Sequence, residues 1–149
     1  MLRSLIERLS SDPGEDARRP TTYGSVYELR NAVSRDLEEL LNTRSEMLRW
    51  LPESMPECRA SSLTYGIPDF SSYSLLGSQD RDRIKRSLER TIIQHEPRLT
   101  RVRVSLDPPV EHERALRFRV DAMLSLGPER EKVSFDAVLQ LATQIYAVQ

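Results

Sequence analysis

Few residues in this chain could do chemistry on their own. His95 and His112 have 16 residues between them, and the single cysteine, Cys58, lies far from both. Zinc needs about four ligands at consistent spacing, so these three do not point to a metal site. Cys58 has no surrounding motif that would make it a nucleophile paired with a histidine. The five glycines are scattered singly, which excludes a glycine-rich phosphate loop. Glycoside hydrolysis needs two carboxylates flanking a sugar bond, and Glu96 with Asp69 or Asp107 is the pair to weigh. With 23 acidic residues in the chain, chance pairs are common. No pattern around Glu96 marks an apolar pocket that would keep one carboxyl protonated and the other ionised. No catalytic residue, metal or cofactor is therefore expected. A cell-wall glycosidase using Glu96 stands as the alternative.

The most informative short segment is His95-Glu96-Pro97-Arg98-Leu99. Glu96 and Arg98 lie two apart around a proline, so in an extended backbone both project to one side. A stiff pair of opposite charges suits recognition through a bidentate arginine and a carboxylate acceptor. It equally suits a clamp that satisfies neighbouring groups of the same domain.

The elements around this segment can be read from periodicity. Leu2, Leu5, Ile6 and Leu9 form one apolar helical stripe over residues 1–10. A helix that short needs a docking surface, because isolated helices below about 12–15 residues are marginal in water. Residues 11–22 are polar and turn-rich and read as a flexible linker. Ser25, with Glu28 three positions on, predicts the start of a helix. Val26, Leu29, Val33, Leu37, Leu40 and Leu41 carry it to about Thr43, with Arg30, Arg35, Asp36, Glu38 and Glu39 assigned to the opposite face. Residues 52–77 form a long irregular segment punctuated by Pro52, Pro56, Pro68, Gly66 and Gly77. Its apolar cluster, from Leu63 to Phe70, covers the core or docks on another protein. Ser78 is the expected cap of a helix with Ile84, Leu88 and Ile92 on its apolar face, ended by Pro97.

Three alternating stretches predict strands: Val102–Leu106, Leu116–Leu126 and Val133–Val138, the last two joined by a hairpin at 127–132. The tail from Leu139 to Val148 fits helix or strand. The sum is an α+β fold: a two-layer domain over 23–149, with helices packed on a small three- to four-stranded mixed or antiparallel sheet.

Composition narrows the function classes. The 149 residues are 38% apolar and 30% charged, with 22 basic and 23 acidic side chains and a net charge of -1. This excludes a bulk polycation that coats nucleic acid. Twenty of the basic residues are arginine, suited to planar contacts with carboxylates and phosphates. Residues 1–75 carry 9 basic and 12 acidic groups, and residues 76–149 carry 13 and 11. The basic excess gathers between Arg81 and Arg103, which reads either as a solvated face or as a surface for an acidic partner. No Phe, Tyr or Trp lies in that interval, so it lacks the stacking platform of a nucleic-acid binder. No apolar run approaches the ~20 residues needed to span a bilayer, and Arg3, Glu7 and Arg8 interrupt any leader-like stretch. One cysteine suits a reducing cytoplasm.

Glu96-Pro97-Arg98, followed by Leu99 and the first strand, resembles the Glu-Pro-Arg signature of contractile-tail baseplate wedge proteins. Leu5-Ile6-Glu7-Arg8-Leu9, the helix ending from Arg35 to Arg44, and Tyr65-Gly66-Ile67-Pro68-Asp69-Phe70 resemble the type VI secretion branch of that family, the TssE subunits. The resemblance implies a cytoplasmic, non-enzymatic scaffold at the inner face of the cell envelope. It implies partners in the baseplate proteins TssF, TssG and TssK and the sheath proteins TssB and TssC, with no nucleic acid and no direct membrane insertion. It implies partner-binding roles for Glu96, Pro97 and Arg98, and for Tyr65, Asp69 and Phe70. Leu2, Leu5, Ile6 and Leu9 would be a second anchor. Such a subunit would start the sheath by offering a sheet edge, at Val102–Leu106 or Val133–Val138, to strands of another chain.

Overall fold

A computed structural model describes residues 25–47, 50–109, 115–126, 129–140 and 146–148. The stripe and linker expected over 1–10 and 11–22, and His112, lie outside the described residues. Helix α1 spans Val26–Asn42. Ser25 caps it by accepting from the Glu28 amide at 3.2 Å, so one orphan donor of the first turn is satisfied. Leu29, Val33, Leu37, Leu40 and Leu41 are all buried. A one-turn helix α2, Pro56–Arg59, and a 3-10 turn, Ser62–Thr64, interrupt the irregular segment that follows. Helix α3 spans Ser78–His95 and buries Ile84, Leu88 and Ile92.

Gly77, not Ser78, holds the cap position of α3. Asp80, in the first turn, accepts instead from the Ser74 amide at 2.9 Å and ties the incoming loop to the helix. The helix ends at His95. Glu96, the residue before proline, has left helical geometry (φ -122, ψ 80), as the bulk of the Pro97 ring requires.

Strands β1 Leu99–Leu106, β2 Ala115–Leu126, β3 Glu129–Gln140 and β4 Tyr146–Val148 form one sheet in the order β1-β2-β3-β4, antiparallel throughout. The described residues of the tail, 139–140 and 146–148, are thus strand, and the β2–β3 hairpin is tighter than expected, since Leu126 already pairs with Glu129. Strand alternation sends Val104, Leu116, Phe118, Val120, Leu124, Val133 and Phe135 inward. There they meet the apolar faces of the helices, α3 over β1 and α1 over β4, in one core. This is the two-layer α+β arrangement.

Two backbone positions make the packing possible. Leu99 and Val102 are both buried, yet a separation of three would send them to opposite faces of a regular strand. A bulge between Thr100 and Arg103 supplies the extra residue, and Arg101 takes it up at φ +53. Gly66 sits at φ +108 against the end of α1, where a Cβ would stand 2.4 Å from the Thr43 carbonyl oxygen. That closeness lets the Ile67 amide donate to Thr43 O (2.8 Å) and the Ser45 amide to Ile67 O (2.9 Å).

Gly66→Ala combines a backbone clash with left-handed strain and is expected to cost about 2–3 kcal/mol in a denaturant melt. Arg101→Val should cost about 1–2 kcal/mol, because a β-branched residue resists positive φ, whereas Arg101→Gly should be neutral or better. Equal stability of the two Arg101 variants would rule out the strain at the bulge.

Candidate functional site

The two segments singled out in the sequence meet at the C-terminal half of α1. Glu96 is 4% exposed although it carries a carboxylate. Burying a charge is costly unless it is paired and hydrogen-bonded. Here Arg98 supplies both: its Nε donates to Glu96 Oε1 at 2.6 Å, its Nη2 to Oε2, and its backbone amide to Oε1 at 3.1 Å. The proline between them lets the side chain fold back on its neighbour. Pro97 itself is exposed.

The same Nη2 also donates to Asp36 on α1. The helical pattern assigns Asp36 to the solvated face of α1, and the structure corrects this. It lies three residues after Val33 and four before Leu40, on the buried stripe, and its side chain is 15% exposed. Arg98 is therefore held by a carboxylate from its own corner and by one from a helix 62 residues away. Burial works against its charge. The hydrogen bonds and charges of Glu96 and Asp36 outweigh that, and they hold the guanidinium pKa above its usual value. Nη1 is buried and makes no hydrogen bond.

Tyr65 packs edge-on against His95, with ring centroids 5.4 Å apart. Burial, and then the negative charges of Glu39, Asp36 and Glu96, push its phenol up to about 12. The His95 ring nitrogen Nε2 lies 3.1 Å from the Thr64 carbonyl. Burial pushes its pKa below the ordinary value, and that hydrogen bond opposes the shift. Thr64 is fully buried; its hydroxyl donates to Arg59 O (2.7 Å) and accepts from Gln94 (3.0 Å). Phe70 enters the core, 4% exposed, edge-on to Tyr73. Asp69 stays outside and accepts from the amide and hydroxyl of Ser71, both at 2.9 Å.

The structure thus gathers Tyr65, Glu96 and Arg98 at one corner, with Pro97 on its surface. Glu96 and Phe70 point into the chain. Leu2, Leu5, Ile6 and Leu9 lie outside the described residues. Spacing gave no hint of Asp36 as the third member, but its helical phase among Leu29, Val33 and Leu40 did carry the signal. Among the described residues, no group of three or more His, Cys, Asp and Glu is placed to hold a metal, and no helix is long and apolar enough to cross a membrane.

The charged corner binds its own domain together and sits on a small helix-on-sheet module. The family model described as "Baseplate wedge protein gp25" matches residues 27–129, well over half the chain, so the chain belongs to that family and is a structural baseplate subunit. The matched span holds both the Tyr65–Phe70 and Glu96–Arg98 segments. No curated protein matches the chain. Among solved structures, the fold is similar to that of a chain in "The baseplate complex from the type VI secretion system", with a TM-score of 0.50 and 20% identity over 74% of this chain and 93% of that one. At that identity the likeness is one of fold.

Removing one partner of a buried ion pair strands the other charge, so Glu96→Ala should cost about 3–5 kcal/mol by denaturant titration. A loss below about 1 kcal/mol would show that the clamp is not structural. Tyr65 gives an alkaline signature. Its phenol ionises near pH 10 when unfolded and near 12 when folded, so its contribution to stability is intact below the first value and lost as pH rises through the second. Melting temperature should therefore fall less steeply above pH 10 in Tyr65→Phe than in the parent.

Proposed function

We propose that this chain is the TssE-type wedge subunit of a type VI secretion baseplate, and that it works as a cytoplasmic scaffold at the inner face of the envelope. It would stand beside TssF, TssG and TssK and start the TssB/TssC sheath. Family membership and the fold likeness support the baseplate setting. The observation that carries the sheath-starting role is the inequality of the two sheet edges. On the β1 side, the Glu89 carboxylate accepts from the outward Val104 amide at 2.9 Å. On the other side, β4 pairs only with residues 137–139 of β3, and on the flank away from β2 residues 129–136 have no strand beside them among the described residues. Arg130, Glu131 and Lys132 blunt the far end of that edge with charge. Val133–Asp136, next to β4, is the stretch on which an added strand would be held by main-chain hydrogen bonds.

In this reading the exposed Pro97, on the surface of the Arg98 corner, meets the helical core of the wedge together with Tyr65 and Asp69. Glu96 and Phe70 fix the shape of that corner from within. Leu2, Leu5, Ile6 and Leu9 would provide a second anchor in a partner's groove. A glycosidase reading gains no support from the geometry. Both Glu96 oxygens accept from Arg98, and a residue 4% exposed offers no sugar an approach.

Co-expression with its baseplate neighbours, followed by affinity purification, is expected to recover a stable complex containing this chain. Purified protein should release no fragments from peptidoglycan. Solitary elution, together with peptidoglycan turnover that disappears in Glu96→Gln, would falsify the scaffold reading.

A further inference from the structure

The helices cover one face of the sheet. The other face carries Arg103, Arg117, Arg119, Arg130 and Lys132, all exposed, against three acidic residues, Asp107, Asp121 and Asp136. That is an excess of two positive charges on a chain whose net charge is -1. The acids are engaged within the face. Asp107 lies in the wall of one cleft with Arg117 and Arg119, and its charge acts on Arg119. Asp121 stands across from Arg103 and accepts from the Ser134 hydroxyl at 2.5 Å, and Asp136 accepts from Arg119 Nε at 2.7 Å. Arg130 and Lys132 have Ser125 and Met123 as their cross-strand neighbours, so no acid stands opposite either. A cleft of about 350 Å³ opens on this face beside Arg117 and Arg119, with Val138 in its wall.

We propose that this outer sheet face is a docking surface for an acidic protein surface, one that presents clustered Asp and Glu side chains. The proposal rests on the wedge reading above. Charge complementarity selects the partner. Four of the five cations are arginines, whose flat forked ends pair with carboxylates bidentately. Half-buried Met123 and Val138 supply apolar contact among them. Nucleic acid fits less well. Among the described residues the face has no exposed aromatic ring on which a base could stack, and Asp121 and Asp136 lie in its middle, where they would repel phosphates. The basic excess seen in the sequence between Arg81 and Arg103 is thus split by the fold. Only Arg103 belongs to this face, and its companions come from β2 and β3.

The chain has two lysines, and Lys132 alone lies on the face; Lys85, on α3, is an internal reference. Acetylation by a water-soluble succinimidyl ester, read by mass spectrometry, therefore reports the surface directly. In the isolated chain Lys132 should label at least as fast as half-buried Lys85. In the nuclease-treated complex co-purified with its baseplate neighbours, labelling of Lys132 should slow about tenfold, and carbodiimide should couple it to an Asp or Glu of a neighbour. Arg103→Glu/Arg130→Glu should lower recovery in the complex about tenfold, and Arg103→Gln/Arg130→Gln less, with unchanged circular dichroism. Free-rate labelling of Lys132 inside an intact complex overturns the proposal and leaves the wedge reading standing. Slow labelling already in the isolated chain overturns it too, since the chain would then cover its own face. Protection that vanishes on nuclease treatment replaces the protein partner with nucleic acid. A chain that elutes alone removes the wedge reading and this proposal together.

Discussion

A guanidinium taken out of water must keep its charge and find acceptors, and the rest of this domain is arranged around that demand. Arg98 meets it with one carboxylate from its own corner and one from the middle of α1. The two acids are 60 positions apart in sequence, one on α1 and one at the end of α3. Bringing them together fixes α1 against the start of β1. Buried ion pairs are not a strong source of net stability, because desolvation offsets most of the attraction. Their effect is on uniqueness. Any slip of α1 along the sheet would leave a charge buried and alone, so one docking geometry is strongly preferred. Tyr65 and His95 close the corner with an aromatic contact, and the Gly66 approach to Thr43 stitches the intervening loop to the same helix end.

The sheet contributes a second constraint. Its inward side chains must fill the space under two helices, and a strictly regular β1 could not bury both Leu99 and Val102. The left-handed Arg101 stores a little strain at the bulge so that both can enter the core. The bulge lies three residues beyond Arg98, so the clamp and the change of strand phase act on the same short stretch of backbone. The Glu-Pro-Arg corner and the packing of the first strand are therefore mechanically one feature.

How much of this could be read in advance depended on whether the signal was local. Ser25 caps its helix because a short side-chain oxygen next to an apolar-periodic run has one obvious use. The three alternating stretches became strands because period-two burial has few other outcomes. Ser78 failed as a cap for an equally local reason: Gly77 adopts the extended cap conformation one residue earlier. The clamp was only half visible. Glu96 and Arg98 announce each other by spacing, whereas Asp36 is a carboxylate in phase with leucines and valines, which a simple division of α1 into apolar and charged faces puts on the wrong side. The bulge was hidden because Arg101 resembles any other exposed arginine of an alternating strand. The charged outer face was hidden because its members are spread over three strands and assemble only through register.

The Glu89 contact with Val104 has a consequence for growth. A bare sheet border is indiscriminate and will zip onto any extended segment, including the same border of a sister molecule. With a carboxylate seated on one of its amides, β1 resists such zipping, and extension is biased to the opposite rim. In the proposed role such a block would have polarity: it would be lengthened on one flank while the other stays shut. That would keep loose copies from stacking into ribbons and give a growing structure a defined first direction.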